Sequence, residues 1–213
     1  MIIYSPLDGH PFPHSIESQA RRVFLMTRLG KPIPKGITDI RKAVEKCCKN
    51  YGYSVIDAQA KVTGRDILLK IWKLIAATPI SVGVLHEDMP EATKANIFYE
   101  IGVAQALGKE TVIVKSPEVE IPSDFVRSEY VNFDENFQEY FTAFLDAAIE
   151  QANYYETVAD QLDRNPILAL DYFKRAYLIK GDKVLKKKAA EVVEGAGLEE
   201  RAANSIELLA AAF

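Results

Sequence analysis

Cysteine is scarce in this 213-residue chain: there are two, Cys47 and Cys48, side by side. Adjacent cysteines rarely bridge to each other, and one pair cannot complete a tetrahedral metal site. Reduced thiols on a helix are the expectation, and with them a reducing, cytoplasmic compartment. No charge-free apolar run approaches the roughly twenty residues of a membrane span. The opening MIIYSPLDGHPFPHS lacks the basic start and apolar core of a signal peptide. Positive charge is not in excess either. Lys and Arg total 26 against 30 Asp and Glu, a net −4, so nothing electrostatic points to nucleic acid or an anionic membrane as partner. The longest basic run, Lys186-Lys187-Lys188, reads as a solvated helix face. Zinc-ligand spacing, a GxxxxGK[ST] phosphate loop and a GxGxxG fingerprint are all absent. The GKPIPKG loop is too rich in proline to cradle a pyrophosphate through successive N–H groups.

What is present is an ordinary globular balance, 48% apolar and 26% charged. Short apolar runs alternate with helical periodicities. RVFLMT, SVIDA, ISVGVL, ETVIVK and SEYVNF read as strands. Thr38 reads as the cap of a helix carrying Ile40, Val44, Cys47 and Tyr51 along one side. RDILLKIWKLIAAT is a second helix, and NIFYEIGVAQALGK a third that begins near Asn96. Near-continuous apolar strands separated by helices predict a doubly wound, mostly parallel, flavodoxin-like α/β sheet with helices on both faces. That domain is expected over residues 21–133, after an N-terminal arm at 1–20. Residues 134–213 read as wholly helical: a long or doubled helix, two further helices, and LEERAANSIELLAAAF at the end. A packing or dimerisation role, holding a homo-oligomer together, is the expectation for this tail.

In an open parallel sheet, ligands bind beyond the carboxyl ends of the strands where the strand order reverses. There the sequence places Thr27 and Arg28, Asp57, and His86, after the first, second and third strands. A helix starting near Asn96 would put Glu100 one turn in, on the same face as Asn96. Each has a plain alternative: Asp57 as a turn acceptor, Arg28 as surface charge, His86 as a loop residue, Asn96 as a cap. For Glu100, spacing alone favours a solvated position beside an apolar stripe over a catalytic carboxylate.

The series RVFLMT, SVIDA, TGRDILLKIWKLIAAT, ISVGVL, NIFYEIGVAQALGKETVIV and IPSDFVRSEY resembles the nucleoside 2-deoxyribosyltransferase-like superfamily. Within it, the series resembles nucleotide-binding domains described as TIR-like (Toll/interleukin-1 receptor-like). The N-[IV]-F-Y-E-[IL]-G-x-A-x-A-L-G-K block is its specific part. The resemblance implies that Glu100 is the carboxylate that attacks or stabilises the anomeric carbon as an N-glycosidic bond breaks. With Glu100 in that role, Thr27, Arg28, Asp57, His86 and Asn96, placed at the strand ends and helix start, are expected to line the ribose and phosphate side of the substrate, with no metal and no cofactor. NAD would be substrate. Many relatives carry an acidic residue where this chain has Val84, and the acidic residue expected shortly before the glutamate has only Glu91 as counterpart. A base leaving group usually needs protonation by a general acid, whereas nicotinamide leaves NAD with its positive charge neutralised. A single-carboxylate site therefore suits NAD cleavage. The alternatives carried forward are deoxyribosyl transfer or hydrolysis, and a non-catalytic nucleotide-sensing or scaffold module. TIR-like enzymes often act in antiviral defence, switched on by assembly.

Overall fold

The computed structural model describes residues 4, 9–10, 16–58, 67–125, 130–162 and 164–195. Five strands, β1 (Arg22–Met26), β2 (Ser54–Asp57), β3 (Ile80–Leu85), β4 (Glu110–Lys115) and β5 (Tyr130–Asn132), form one sheet in the order β2-β1-β3-β4-β5. All four pairings are parallel. This is the flavodoxin-like arrangement the alternating pattern predicts. The hydrophobic runs are buried on both sides: Val23 to Met26 and every residue of β3 are shut away from solvent. Helices α1 (Lys35–Asn50), α2 (Ile67–Ala77) and α3 (Glu91–Ala106) are the crossovers between successive strands, with α2 and α3 packed side by side.

Register and packing assign the two faces of the sheet. A Cβ on Gly83 would lie 3.1 Å from Ile97 Cγ2 and 3.2 Å from Ile101 Cγ1, so Gly83 faces α3 and the absent side chain lets that helix sit close. Met26 stands opposite Gly83 in the parallel ladder and shares its face. Leu25 and its partner Asp57 point the other way, where Arg41 of α1 meets Asp57.

Two helices start earlier than the sequence reading expects. α1 begins at Lys35, ahead of Thr38, because extended Pro34 (φ −53°, ψ 148°) occupies the cap and accepts the first helical bond from the Thr38 N–H at 3.2 Å. The Thr38 hydroxyl donates to the same carbonyl instead of capping. α3 likewise begins at Glu91 rather than near Asn96. Pro90 caps it, accepting from the N–H groups of Thr93 and Lys94, while Glu91 pairs with Lys94 at 2.8 Å. The stretch EATKA looks like loop because its polar side chains face water; its propensity and its ion pair are helical. Both cysteines lie buried and unbridged on α1, and burial pushes the Cys48 thiol up to about 12.

The chain divides into two compact units. One is Arg22–Asp146, the sheet with its helices and the first turns of α4 (Phe137–Ala159). Those turns carry Phe137 and Phe141, which stack on each other at 5.4 Å; Phe133 meets Phe137 edge-on at 5.2 Å and Phe144 meets Phe141 at 6.1 Å between centroids.

The other unit joins the described residues before Arg22 to those from Ala147 onward. Its core is Ala159, Leu170, Phe173, Ala176, Leu185 and Ala189, on α4, α5 (Pro166–Lys180) and α6 (Lys183–Gly195). Asn165 caps α5 through the Leu168 N–H, ahead of proline at the first helical position. Glu156 accepts from both Lys180 (2.6 Å) and Lys188 (2.9 Å). The Arg21 N–H and guanidinium bond to the carbonyls of Leu178 and Ile179, which ties the end of the N-terminal segment to α5. The expected last helix, LEERAANSIELLAAAF, lies outside the described residues, as does the QAKVTG loop. No described helix is long and apolar enough to cross a membrane.

Candidate active site

Three of the residues expected at the carboxyl ends of the strands share the α1 face. Asp57, at the tip of β2, is buried and receives the Arg41 guanidinium, so its charge is committed to α1. Thr27 follows β1 with the same orientation as Leu25. It is 7% exposed, and its Oγ1 is buried with no hydrogen-bond partner. His86 follows β3 and stands against the first turn of α1, where a Cβ on Gly36 would lie 2.1 Å from its Nε2. Its Nδ1 accepts from the Asp88 N–H at 3.1 Å, which leaves the proton of the neutral ring on Nε2. Nearby, the Ser116 hydroxyl donates to Glu87, tying the loop after β4 to the loop after β3. That bond holds the Glu87 carboxyl below the usual glutamate range. Arg28 is half-buried beside Thr27.

Glu100 and Asn96 lie on α3, across the sheet. Residues 97, 101 and 104 make the buried stripe of that helix. One flank faces β4: Gln105 Nε2 donates to Thr111 Oγ1 at 3.3 Å, and Phe98 meets Phe125 at 4.9 Å between centroids. Glu100 is on the other flank, facing α2. Because α3 starts at Glu91, Glu100 sits deep in the helix rather than one turn in. Asn96 is exposed and is not the cap.

The depth sets the chemistry of Glu100. It is half-buried, and among the described residues its carboxyl has no hydrogen bond or ion pair. Burial without compensation disfavours the charged form and raises its pKa to about 7. Such a carboxylate is costly to keep for stability alone, and perturbed acids of this kind mark candidate sites. On α2, which packs beside α3, is a group the sequence reading passed over, Trp72. Its indole Nε1 is buried and unpartnered. The available signal was its position next to the buried Ile71 on α2.

The fold has a distant likeness in a solved enzyme. The chain is similar to a 2-deoxyribosyltransferase from the psychrotolerant bacterium Bacillus psychrosaccharolyticus. Identity is 14%, the match covers 54% of this chain and 86% of that one, and the TM-score is 0.41. At that level the likeness speaks neither for substrate nor for chemistry. No family model matches the chain, and no curated protein does.

The topology explains how groups on opposite faces could serve one ligand. From β1 the chain crosses over α1 to β2, and from β3 it crosses over α3 to β4, so the two connections diverge between β1 and β3. In open parallel sheets such a switch, beyond the carboxyl ends of the strands, is where ligands bind. Among the described residues no cluster of three or more His, Cys, Asp or Glu could hold a metal.

Proposed function

We propose that the chain is an N-glycosidase that releases the base from a nucleotide, with Glu100 as the catalytic carboxylate and NAD as its preferred substrate. The observation that carries the reading is the unpartnered Glu100 carboxyl, half-buried on α3 and raised to about 7. As the bond between the anomeric carbon and the nicotinamide nitrogen breaks, its electron pair goes to the ring and cancels the pyridinium charge. Positive charge develops on the sugar, and the ionised Glu100 stabilises it; water then adds at the anomeric carbon and loses a proton. The reaction so written needs no cofactor.

The preference for NAD over deoxynucleosides rests on the shortage of a second acid. Asp57 is paired with Arg41, and Glu91 with Lys94. A leaving group that needs no proton suits that inventory. The unpartnered Thr27 hydroxyl and the Arg28 guanidinium would take the ribose and phosphate side, Arg28 through its planar fork. Asp57, His86 and Asn96 would border the same ligand.

Incubation with NAD, NADP, nucleotides and deoxynucleosides, followed by chromatography, tests this reading. Nicotinamide released by the native protein and not by Glu100→Gln is the expected result, with a rate that rises through about pH 7 as Glu100 ionises. Preferential release of purine or pyrimidine would replace it with deoxyribosyl chemistry. Nucleotide binding without any product would replace it with a sensing module.

A further inference from the structure

Packed side by side, α2 and α3 carry two groups of opposite hydrogen-bonding character, the buried, unpartnered Trp72 indole N–H on α2 and the Glu100 carboxyl on α3. Both helices connect parallel strands, run against the strand direction and pack side by side, so equivalent flanks point the same way. Phe98 follows the buried Ile97 and points toward β4 and Phe125. Trp72 follows the buried Ile71 in the same manner, and from α2 that direction is toward α3. Glu100 precedes the buried Ile101 and points back toward α2. Heights agree as well. Trp72 stands five residues above the end of α2 and Glu100 six above the end of α3, about 7.5 and 9 Å. The lower ends of the helices are joined by the Lys109 ammonium, which donates to the Ala76 carbonyl at 2.7 Å.

A buried indole N–H without an acceptor is rare in folded proteins, and the half-buried Glu100 carboxyl has no donor among the described residues. We infer that the indole N–H of Trp72 is the donor that receives and orients the Glu100 carboxylate when it ionises, making Trp72 the positioning residue of Glu100. The inference stands whether or not the chain cuts a glycosidic bond, because it concerns the two side chains alone. A charge-assisted bond of this kind favours the ionised form and so opposes the upward push of burial on Glu100.

Among the described residues, other charged groups around the α2–α3 seam are engaged or turned away. Lys70 and Lys73 of α2 point away from α3 by the same helical count. Lys109 is held at the lower end, and Lys115 of β4 donates to the Pro117 carbonyl beside the Tyr130 ring. On α3 itself Lys94 is paired with Glu91, and Tyr99 is exposed. Toward this face the strands present Phe24 and Met26, then Ser81, Gly83 and Leu85, none of which titrates, with Arg22 at the far start of β1.

The chain has one tryptophan, so its emission reports this position alone. Fluorescence of the full-length protein, titrated from about pH 5 to 9, is expected to change with a midpoint near that of Glu100, about 7. Glu100→Gln removes that transition. In Trp72→Phe, carbon-detected NMR of the Glu100 carboxyl is expected to show its midpoint raised by about one pH unit. Emission that does not titrate, or titrates identically in Glu100→Gln, overturns the inference, and these two arms need no change at Trp72. An unshifted Glu100 midpoint in folded Trp72→Phe overturns it equally.

Discussion

Gly36 and His86 are in direct apposition: a Cβ at position 36 would stand 2.1 Å from Nε2 of His86 and 2.8 Å from its Cδ2 and Cε1. In an unobstructed helix, Gly→Ala stabilises by up to about 1 kcal/mol. Here the sign reverses. The added methyl must displace a buried ring that the Asp88 N–H holds by Nδ1. Gly36→Ala is expected to destabilise by about 1–3 kcal/mol in denaturant unfolding. The same change in a His86→Ala background is expected to be neutral or stabilising. Equal effects in both backgrounds would show that the ring is not the obstacle.

Glu100 makes stability fall as pH rises. Its carboxyl moves from 4.5 to about 7 on folding. Below pH 4.5 both states hold the proton and the group is neutral in effect. Between 4.5 and about 7 the unfolded chain ionises first, and above 7 the loss is complete, on the order of 3 kcal/mol. Glu100→Gln should therefore match the native protein near pH 4 and exceed it in melting temperature at pH 8. Parallel melting curves at both pH values would refute the raised pKa.

Asp57 and Arg41 predict a stability effect in the α/β unit. Asp57→Asn removes the charge opposite a guanidinium that also reaches Glu45 at 3.3 Å. A loss of about 1–3 kcal/mol is expected. Arg41→Met in addition should recover part of it, which a double-mutant cycle measures.

Gly83 controls how closely α3 approaches β3. Gly83→Ala places a methyl 3.1–3.3 Å from Ile97 and Ile101, and the expected cost is about 1–2 kcal/mol by chemical denaturation. Since the same helix carries Glu100, base release should fall more than the loss of folded protein accounts for.

Asn165→Ala removes the acceptor for the Leu168 N–H at 3.2 Å. About 1 kcal/mol of the stability of the α5 start should go with it, read as earlier thermal unfolding, with base release unchanged at a temperature where the protein is folded.

The strands were legible because each is a local apolar run that must be buried on both faces. Helix starts were harder. At Lys35 and Glu91 the first turns are polar or follow proline, and a solvated first turn has the composition of a loop. Glu100 stood out as a lone carboxylate beside an apolar stripe. Trp72 did not, because an indole in an apolar helix reads as core, and its lack of an acceptor is a property of its neighbours.

By itself the sequence determined the alternation of strand and helix, since side-chain periodicity is a local property of a few consecutive residues. It also determined that Glu100 lies beside the buried stripe of its helix. Only the tertiary structure decided what these groups are chemically. Asp57 met Arg41 across 16 residues of chain, His86 met Gly36 across 50, and the Trp72 indole N–H was buried without an acceptor. Protonation and pairing follow from desolvation and from which charges are near, and both depend on residues that only folding brings together.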